Sequence, residues 1–429
     1  MTSSRVGRGA AVLAAGALLW GTATYPADAD QIRDSQWPLK KYQAEARIWP
    51  VSQGEGVIVA VVDGGVMGDH QDLVGQVLPG GDFSGGRTDG RVDRDGHGTG
   101  MASLIAGTGH GSRAGIMGLA PKAKILPVKI RANGESPELQ QSDVSLAVRF
   151  AVDHGARVIN MSIGGYGRLD SEARAAISYA ASKDVVLVAS TGNSGDKGTG
   201  VEYPAAYPGV VAVAAVNEQG MVWEKSTPGA ETTLAAPGVE VYRATAKSTG
   251  SYGIGDGTSD ATAYVSATAA LIRSKYPNLS AGQVINRMIK SASPPADGST
   301  VPNAHYGYGI VDPAKALEPN PVVDGGPKEN PLLGRVESQG APPAGSPTDD
   351  GSALPPVDVP VAGADGNPGI TYTLLGAGGL GVLVVAGVVV GLVVRSRRRA
   401  AAAAAAYPPP PAYPYPGAQP PPQQAPPYQ

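Results

Sequence analysis

The sequence predicts an α/β fold with a mostly parallel sheet, because apolar strand patterns alternate with helical patterns along the chain. The strand patterns are continuous runs of β-branched and small residues, which are typical of strands buried on both faces of a parallel sheet. We expect strands at residues 57–62, 125–130, 158–162, 185–189 and 210–216. Apolar residues at helical spacing predict helices at 99–107, 142–154, 171–183 and 280–292, and residues 307–317 complete the domain.

Composition excludes several classes of function. The 429 residues carry a formal net charge of −3, which gives no electrostatic support for nucleic-acid binding. Cysteine is absent, so a disulfide framework, a thiolate zinc site and a thiol nucleophile are all excluded. The sequence has no Walker-type phosphate loop, no H-E-x-x-H zinc motif and no dinucleotide-binding glycine spacing. We therefore expect neither a cofactor nor a nucleic-acid partner.

Two apolar segments predict the location of the protein. The first covers residues 10–20, follows two arginines and precedes a small-x-small sequence ending at Ala29, as in a secretory signal peptide. The second runs without a charge from Leu374 to Val394 and is long enough to cross a bilayer. Arginines at 395–399 place the following end in the cytoplasm. We expect a single-pass protein of the cell membrane, with the large domain outside and the tail inside.

These features divide the chain into six parts. The prolines crowd toward the C-terminal part of the chain, where periodicity is lost and a flexible linker and a solvated tail are expected. The parts are a signal peptide (1–29), an N-terminal extension (30–56), the large domain (57–317), a Pro/Gly-rich linker (318–373), a transmembrane helix (374–394) and a basic flank with a Pro/Tyr-rich cytoplasmic tail (395–429).

Four residues in separate motifs indicate the chemistry. Ser259 follows a glycine-led turn at the start of a helix, Asp63 ends the first strand pattern, and His97 lies between two glycines before another helix. A serine at a helix start is more often a cap, and a single histidine there is more often structural. Together they supply an orienting carboxylate, a general base and a hydroxyl nucleophile. Asn193, which alone is typical of a turn, adds an amide donor on a glycine-rich loop.

Five motifs carry a resemblance to a known family. In chain order they read V-V-D-G-G, D-G-H-G-T-G, V-I-N-M-S-I-G-G, S-T-G-N-S-G and G-T-S-D-A-T-A-Y-V-S-A. The chain thereby resembles the subtilisin family of serine proteases from about residue 37 to residue 317. The resemblance implies a subtilisin-like three-layer domain and a serine-type endopeptidase whose catalytic residues are Asp63, His97 and Ser259.

The same resemblance implies an oxyanion hole and substrate-binding residues. Asn193 would be the side-chain donor to the oxyanion, with the Ser259 N–H as its companion. One segment would pair with an extended peptide by strand addition, and a second would line the pocket for the residue before the cut. These two segments are Ser162, Ile163 and Gly164, and Ala189, Ser190 and Thr191.

The family's calcium loop is not recognisable at residues 108–118, so we expect no metal site. An acidic run precedes His97, and we interpret it as a solvated loop in which Asp95 helps to orient or cap the His97 segment. The members of this run are Asp82, Asp89, Asp93 and Asp95.

The chain departs from the family pattern at several positions near these motifs. Gly64 stands where Thr or Ser is usual, Gly100 replaces a second histidine, and Ala263 replaces a proline. Asp260 follows Ser259 where the family has an apolar residue, so an inward-pointing carboxylate would oppose a developing oxyanion. Ser194 follows Asn193 where some relatives carry Glu. This position therefore gives no reason to expect a preference for a basic residue before the cut.

The order of the parts is similar to that of the mycosins, the membrane-anchored subtilases of type VII secretion, and residues 31–37 resemble a mycosin segment that wraps the start of the domain. This implies a polypeptide substrate, membrane attachment through Leu374–Val394 and a type VII secretion core complex as partner. The first hypothesis is an endopeptidase acting at the outer membrane face. The alternative is a structural component that stabilises the secretion complex, with weak or dispensable proteolysis.

Overall fold

The computed structural model describes residues 29–131, 137–164 and 171–335. The chain divides into two units, Met1–Ser346 and Pro347–Gln429, and every described residue belongs to the first. Within the described ranges, no helix is both long and apolar enough to cross a membrane. The expected transmembrane segment from Leu374 to Val394 lies outside these ranges, as does the predicted signal peptide up to residue 28.

Strands and helices alternate through the central part of the unit. The strands are β1 Ile58–Asp63, β2 Gly81–Asp82, β3 Thr108–His110, β4 Ala114–Met117, β5 Lys124–Lys129, β6 Val158–Met161, β7 Val186–Ser190, β8 Val211–Val216, β9 Thr232–Pro237, β10 Val241–Ala244 and β11 Tyr252–Gly255. The helices are α1 Ala29–Asp34, α2 Trp37–Lys41, α3 His97–Ala106, α4 Pro137–Asp153, α5 Ser171–Ser182, α6 Thr258–Lys275, α7 Ala281–Ser291, α8 Pro313–Leu317 and α9 Pro321–Asp324, with a π-helical turn at Ala44–Ile48 and a 3-10 turn at Gly195–Lys197.

In the part of the chain that the structure describes, seven strands form one parallel sheet in the order β2-β5-β1-β6-β7-β8-β9. Val59 of β1 lies opposite Ile125 of β5 on one side and Val158 of β6 on the other. The strand order therefore reverses at β1, and in open parallel sheets such a point forms a crevice at the carboxyl ends of the strands. Asp63 is the last residue of β1, so it lies at this crevice.

The core consists of two apolar layers, one on each face of the sheet. Val59 and Val61 belong to the layer that contains α3, α6 and α7, whereas Ala60 and Val62 belong to the layer that contains α4 and α5. This division follows from the strand geometry, because successive side chains point to opposite faces. The predicted three-layer α/β arrangement with a mostly parallel sheet is confirmed.

The five strands expected from the sequence correspond to β1, β5, β6, β7 and β8. The outer strand β9 was not expected, because it begins with Thr232 and Thr233 and ends with Pro237. A proline is tolerated there because Pro237 ends an edge strand, and the outer backbone hydrogen bonds of β9, to residues 308–311, are made by Thr233 and Ala235. Tertiary pairing with β8 therefore outweighs the weak local strand preference.

Helix α6 is buried along almost its whole length, from Thr258 to Arg273. It packs against the strands β6, β7 and β8, the edge strand β9 and helix α3. Alanine, serine and threonine dominate its first half, and their small side chains allow the helix to approach the sheet closely. This packing fixes the first turn of α6, which contains Ser259, near the carboxyl edge of the sheet.

The packed structure continues beyond residue 317, where the sequence prediction ends the domain. The Arg287 guanidinium donates to both carboxylate oxygens of Asp324, each at 2.6 Å. Arg335 donates to the carbonyl oxygens of Glu231, Ala205 and Tyr207 at 2.7, 2.8 and 2.5 Å. Residues 318–335 therefore belong to the folded unit rather than to a free linker, because two arginines tie them to the domain.

The N-terminal extension is hydrogen-bonded to two parts of the large domain. Gln36 exchanges two hydrogen bonds of 2.9 Å with the backbone of Met117 in β4. Arg33 donates to the Gly115 carbonyl oxygen at 3.0 Å, and the Trp37 indole donates to that of Val239 at 3.0 Å. The segment singled out in the sequence thus packs on the hairpin β3–β4 and the region before β10.

Candidate active site

Asp63 and His97 form a close pair at the end of β1. The Nδ1 atom of His97 lies 3.0 Å from Oδ1 and 2.9 Å from Oδ2 of Asp63. The approach depends on Gly98, because a Cβ at that position would lie 2.1 Å from the Gly65 carbonyl oxygen and 3.0 Å from the Asp63 Cβ. Asp63 is almost completely buried, whereas the His97 side chain remains 33% exposed.

Two carboxylates before α3 hold the start of that helix. Asp95 Oδ1 accepts a hydrogen bond from the His97 N–H at 2.9 Å, as the sequence analysis expected for this residue. Asp93 accepts from the N–H and hydroxyl of Thr99 at 2.9 and 2.5 Å and from the Gly96 N–H at 2.9 Å. Asp93 is buried, so its interpretation as a solvated loop residue is wrong. The sequence signal for this role is a spacing: Asp93 lies six residues before Thr99, a threonine in the first turn of α3.

The pKa of His97 is raised from 6.5 to about 9. Burial acts to lower this pKa, but the negative charge of Asp63 and the hydrogen bond to it raise the pKa by more. The Asp63 contact also fixes the ring, because Nδ1–H donates to the carboxylate and leaves Nε2 free to exchange a proton. The imidazole is therefore oriented and its charged form is stabilised.

Ser259 lies in the first turn of α6 and lines the same cleft as His97. Its hydroxyl donates to the Ser162 carbonyl oxygen at 3.2 Å, while the Ser162 hydroxyl donates to the Ser259 carbonyl oxygen at 2.9 Å. These reciprocal bonds hold the segment after β6 against the start of α6. The Ser259 N–H is among the first amides of the helix, which have no partner inside it.

Asn193 is oriented by the residue that precedes Ser259. Its Oδ1 accepts from the Thr258 N–H at 3.0 Å and from the Thr258 hydroxyl at 2.9 Å. Because both donors engage the oxygen, the Nδ2 amide group is left to face the cleft, which Asn193 also lines. The Asn193 amide and the Ser259 N–H thus present two donors to one region.

The cleft has a volume of about 600 Å³. Four of the six residues expected to bind substrate line it: Ser162, Ile163, Gly164 and Ser190. The other two, Ala189 and Thr191, are fully buried behind this wall and do not line the cleft. Glu202, which the sequence analysis did not single out, also lines the cleft. Every lining residue lies between Asp63 and Ser259 in the chain, so the described part of the N-terminal extension contributes none.

The departures at residues 100 and 260 share one structural explanation, and that at residue 64 has its own. The buried Asp260 carboxylate accepts from Nη1 of Arg243 at 2.8 and 3.0 Å. Arg243 in turn occupies the space beside Gly100, where a Cβ would lie 2.8 Å from its Cδ. Gly64 similarly leaves room for Asp95, whose Oδ2 lies 3.3 Å from the Cβ position. A larger residue at 100 would displace the partner of Asp260.

Comparison with known sequences identifies the family. Residues 54–309 match the model of the subtilase family, peptidase S8. The chain belongs to this family. It is 34% identical to subtilisin DY of Bacillus licheniformis over 268 residues, which cover 62% of this chain and 92% of that protein. It is also 34% identical to thermitase of Thermoactinomyces vulgaris over 290 residues, or 66% and 96% of the two chains. This subtilase is therefore a serine endopeptidase.

Solved structures similar to this subtilase include mycosins. MycP1 with its N-terminal propeptide removed aligns with a TM-score of 0.59 at 28% identity, covering 68% of this chain and 99% of that chain. The MycP3 protease from the type VII (ESX-3) secretion system aligns with a TM-score of 0.58 at 31% identity, covering 66% and 88%. MycP1 from Mycobacterium smegmatis gives a TM-score of 0.58 at 27% identity, covering 69% and 87%. Three of the similar solved structures are thus mycosins.

Proposed function

We propose that this subtilase cleaves peptide bonds through Asp63, His97 and Ser259. The observation that carries the proposal is the pair formed by Asp63 and His97 in the cleft that also contains Ser259. In this mechanism, His97 Nε2 takes the Ser259 hydroxyl proton while Oγ attacks the substrate carbonyl carbon. His97 then gives the proton to the leaving amine, and a water molecule releases the acyl group by the reverse sequence.

The Ser259 hydroxyl must turn from the Ser162 carbonyl oxygen toward His97 before it attacks. Such a turn needs only rotation about one side-chain bond, and catalytic hydrogen bonds are often long or unformed without substrate. The reciprocal bond from Ser162 to the Ser259 backbone does not involve this hydroxyl, so it can persist during the rotation. The backbone that positions the nucleophile is therefore independent of the rotamer that reacts.

We assign the oxyanion hole to the Asn193 amide and the Ser259 N–H. The two bonds from Thr258 hold the Asn193 amide in place before substrate binds, so little reorganisation is needed as charge develops. The Asp260 carboxylate, expected from the sequence to oppose this charge, is engaged by Arg243 instead. An extended substrate would pair by strand addition with the backbone of Ser162, Ile163 and Gly164, which line the cleft.

We propose further that the domain is held outside the cell membrane by Leu374–Val394 and works with a type VII secretion core complex. Two observations support this proposal: the apolar segment is followed at once by arginines, and the similar solved structures include proteases of type VII secretion systems. Proteolysis would then act on polypeptides at the outer face of the membrane.

Labelling of the full-length chain with a fluorophosphonate probe tests the proposed chemistry. Attack by an activated serine would form a bond from Oγ to phosphorus and release fluoride. Labelling that is abolished in Ser259→Ala, and reduced in His97→Ala, would support the proposal. Ser266→Ala is a matched control, because Ser266 lies on the same helix but bonds to Asn160 in the interior.

Absence of labelling in a folded chain would contradict the catalytic proposal. It would favour the alternative, in which the domain stabilises the secretion complex without proteolysis. That alternative also has its own test: secretion would survive Ser259→Ala but fail when the domain is deleted. The charge of Asp260, which favoured the alternative in the sequence, no longer does so because Arg243 neutralises it.

A further inference from the structure

Glu202 places a carboxylate in the cleft that also contains Ser259. Its side chain lies in a slot between the two backbone segments that flank this part of the cleft. A Cβ built on Gly164 would lie 2.3 Å from Glu202 Oε2, and one built on Gly192 would lie 2.5 Å from Glu202 Cδ. Gly192 also has φ = +109°, which other residues rarely adopt. Both glycines are therefore required for Glu202 to occupy this place.

The two walls of the slot are fixed by hydrogen bonds. The Ser190 hydroxyl donates to the Ile163 carbonyl oxygen at 3.1 Å and joins the strand ends on which the walls are built. The Glu202 N–H donates to the Thr191 carbonyl oxygen at 3.0 Å and fixes the backbone of the acid itself. The carboxylate thus has a defined position rather than that of a free surface side chain.

No described residue neutralises this carboxylate by contact. Among the described residues, none donates a hydrogen bond to it or forms an ion pair with it. Burial raises the pKa of Glu202, and the charge of the exposed Lys197 lowers it only in part. A carboxylate that has lost water without gaining a partner is stabilised by a cation that enters the cleft.

The remaining charges of the cleft also favour a cation. Its acidic lining residues are Asp63, Asp95 and Glu202, and its basic ones are His97 and Arg131. Arg131 is paired with Asp143 at 2.6 Å, so its charge is already compensated. The part of the cleft beside Gly164 and Gly192 therefore presents an unpaired negative charge.

We propose that Glu202 selects lysine or arginine as the residue before the cut bond. The inference rests on the proposed function, since it assumes that the carbonyl attacked by Ser259 lies at the Asn193 amide. The side chain of that substrate residue would then extend from the attacked carbonyl toward Gly164 and Gly192, and its cation would meet the Glu202 carboxylate that fills the slot between them. Ser194 supplies no such charge, so the specificity comes from an acid on a different segment.

Cleavage of a peptide series by the full-length chain tests this inference. The peptides differ only before the cut, with Arg, Lys, Gln, Met, Leu, Ala or Glu, and kcat/KM is measured for each. We expect Arg and Lys to exceed Gln and Met by about 10- to 100-fold, the range of a hydrogen-bonded charge. Glu202→Gln should remove this advantage, so that kcat/KM for Arg and Lys falls to the level of Gln and Met.

Matched variants separate an effect of the Glu202 charge on specificity from an effect on folding. Glu202→Asp keeps the charge and should retain part of the preference for Arg and Lys. Glu218→Gln removes the same charge from an exposed residue outside the cleft and should change nothing. A wild-type chain that cleaves after Ala or Leu as well as after Arg would overturn the proposal, and so would a preference that survives Glu202→Gln.

A binding measurement keeps this test separate from that of the catalytic proposal. Fluorescence of p-aminobenzamidine, which carries an arginine-like cation, is titrated with the Ser259→Ala chain, in which no proteolysis can occur. Saturable binding that weakens at least 10-fold in Ser259→Ala/Glu202→Gln would support the role of Glu202 even if the chain cleaves no peptide. Absence of binding to Ser259→Ala would overturn that role, whatever the labelling experiment gives.

Discussion

Replacing Arg243 by methionine should destabilise the domain, because it removes the partner of a buried carboxylate. Asp260 is 1% exposed and Arg243 is 20% exposed, and the two side chains are 2.8 Å apart. Methionine retains much of the volume of the arginine stem but has no charge. The variant therefore isolates the electrostatic part of the contact.

The magnitude follows from two physical limits. Breaking a buried ion pair by removing one partner costs about 3–5 kcal/mol, and the partial exposure of Arg243 moves this toward the lower end. Asp260 can also escape by taking up a proton, which at pH 7 costs about 4 kcal/mol relative to an unfolded carboxyl with a pKa near 3.9. We expect the free energy of unfolding to fall by about 2–4 kcal/mol at pH 7.

The loss should depend on pH with a definite sign. Burial already raises the pKa of Asp260, and without Arg243 this pKa rises further. A group whose folded pKa exceeds its unfolded pKa contributes stability at low pH and loses it as pH rises. The deficit of Arg243→Met should therefore be small near pH 5 and grow by up to about 1.4 kcal/mol per pH unit above it.

Urea unfolding of the full-length chain at pH 5 and pH 8, followed by tryptophan fluorescence, measures this deficit. The double variant Arg243→Met/Asp260→Asn has neither charge and should recover to within about 1 kcal/mol of the wild type. A deficit that is independent of pH would refute the reasoning. So would a double variant as unstable as Arg243→Met, since the cost would then come from packing.

Three further predictions concern the site and the domain boundary. Because His97 must be neutral to accept a proton and its pKa is about 9, kcat/KM should rise with pH toward that value. Asp63→Asn should move the midpoint down, and a wild-type plateau by pH 7 would contradict the assignment. Asn193→Ala should lower kcat by about 10²–10³, as in subtilisin itself, with little change in KM. Arg335→Ala should lower the free energy of unfolding by about 1–3 kcal/mol in urea titrations, and a loss below about 0.5 would contradict its anchoring role.

Much of the fold could be predicted because its signals are local. Strands β1 and β5 to β8 are continuous runs of small and β-branched residues, which suit burial on both faces of a parallel sheet. The motifs around Asp63, His97, Asn193 and Ser259 are also contiguous, because each needs glycines or small residues beside it. Strand β9 escaped prediction because pairing with β8, not its own sequence, makes it a strand.

The residues that escaped prediction are those whose partners lie far along the chain. Residues 318–335 have the composition of a linker, yet Arg287 and Arg335 bind them to the domain. Local composition does not report such contacts, because one partner of each comes from a distant element.

The amino-acid sequence by itself determined the α/β fold class, the family and the four residues proposed for catalysis, since all of these depend on short contiguous patterns. Only the tertiary structure decided the surroundings of those residues. It paired Asp260 with Arg243 on the strand β10, and it brought Glu202 between Gly164 and Gly192. The physical reason is that the energy of a buried charge depends on the groups that surround it in space, and distant segments supply those groups.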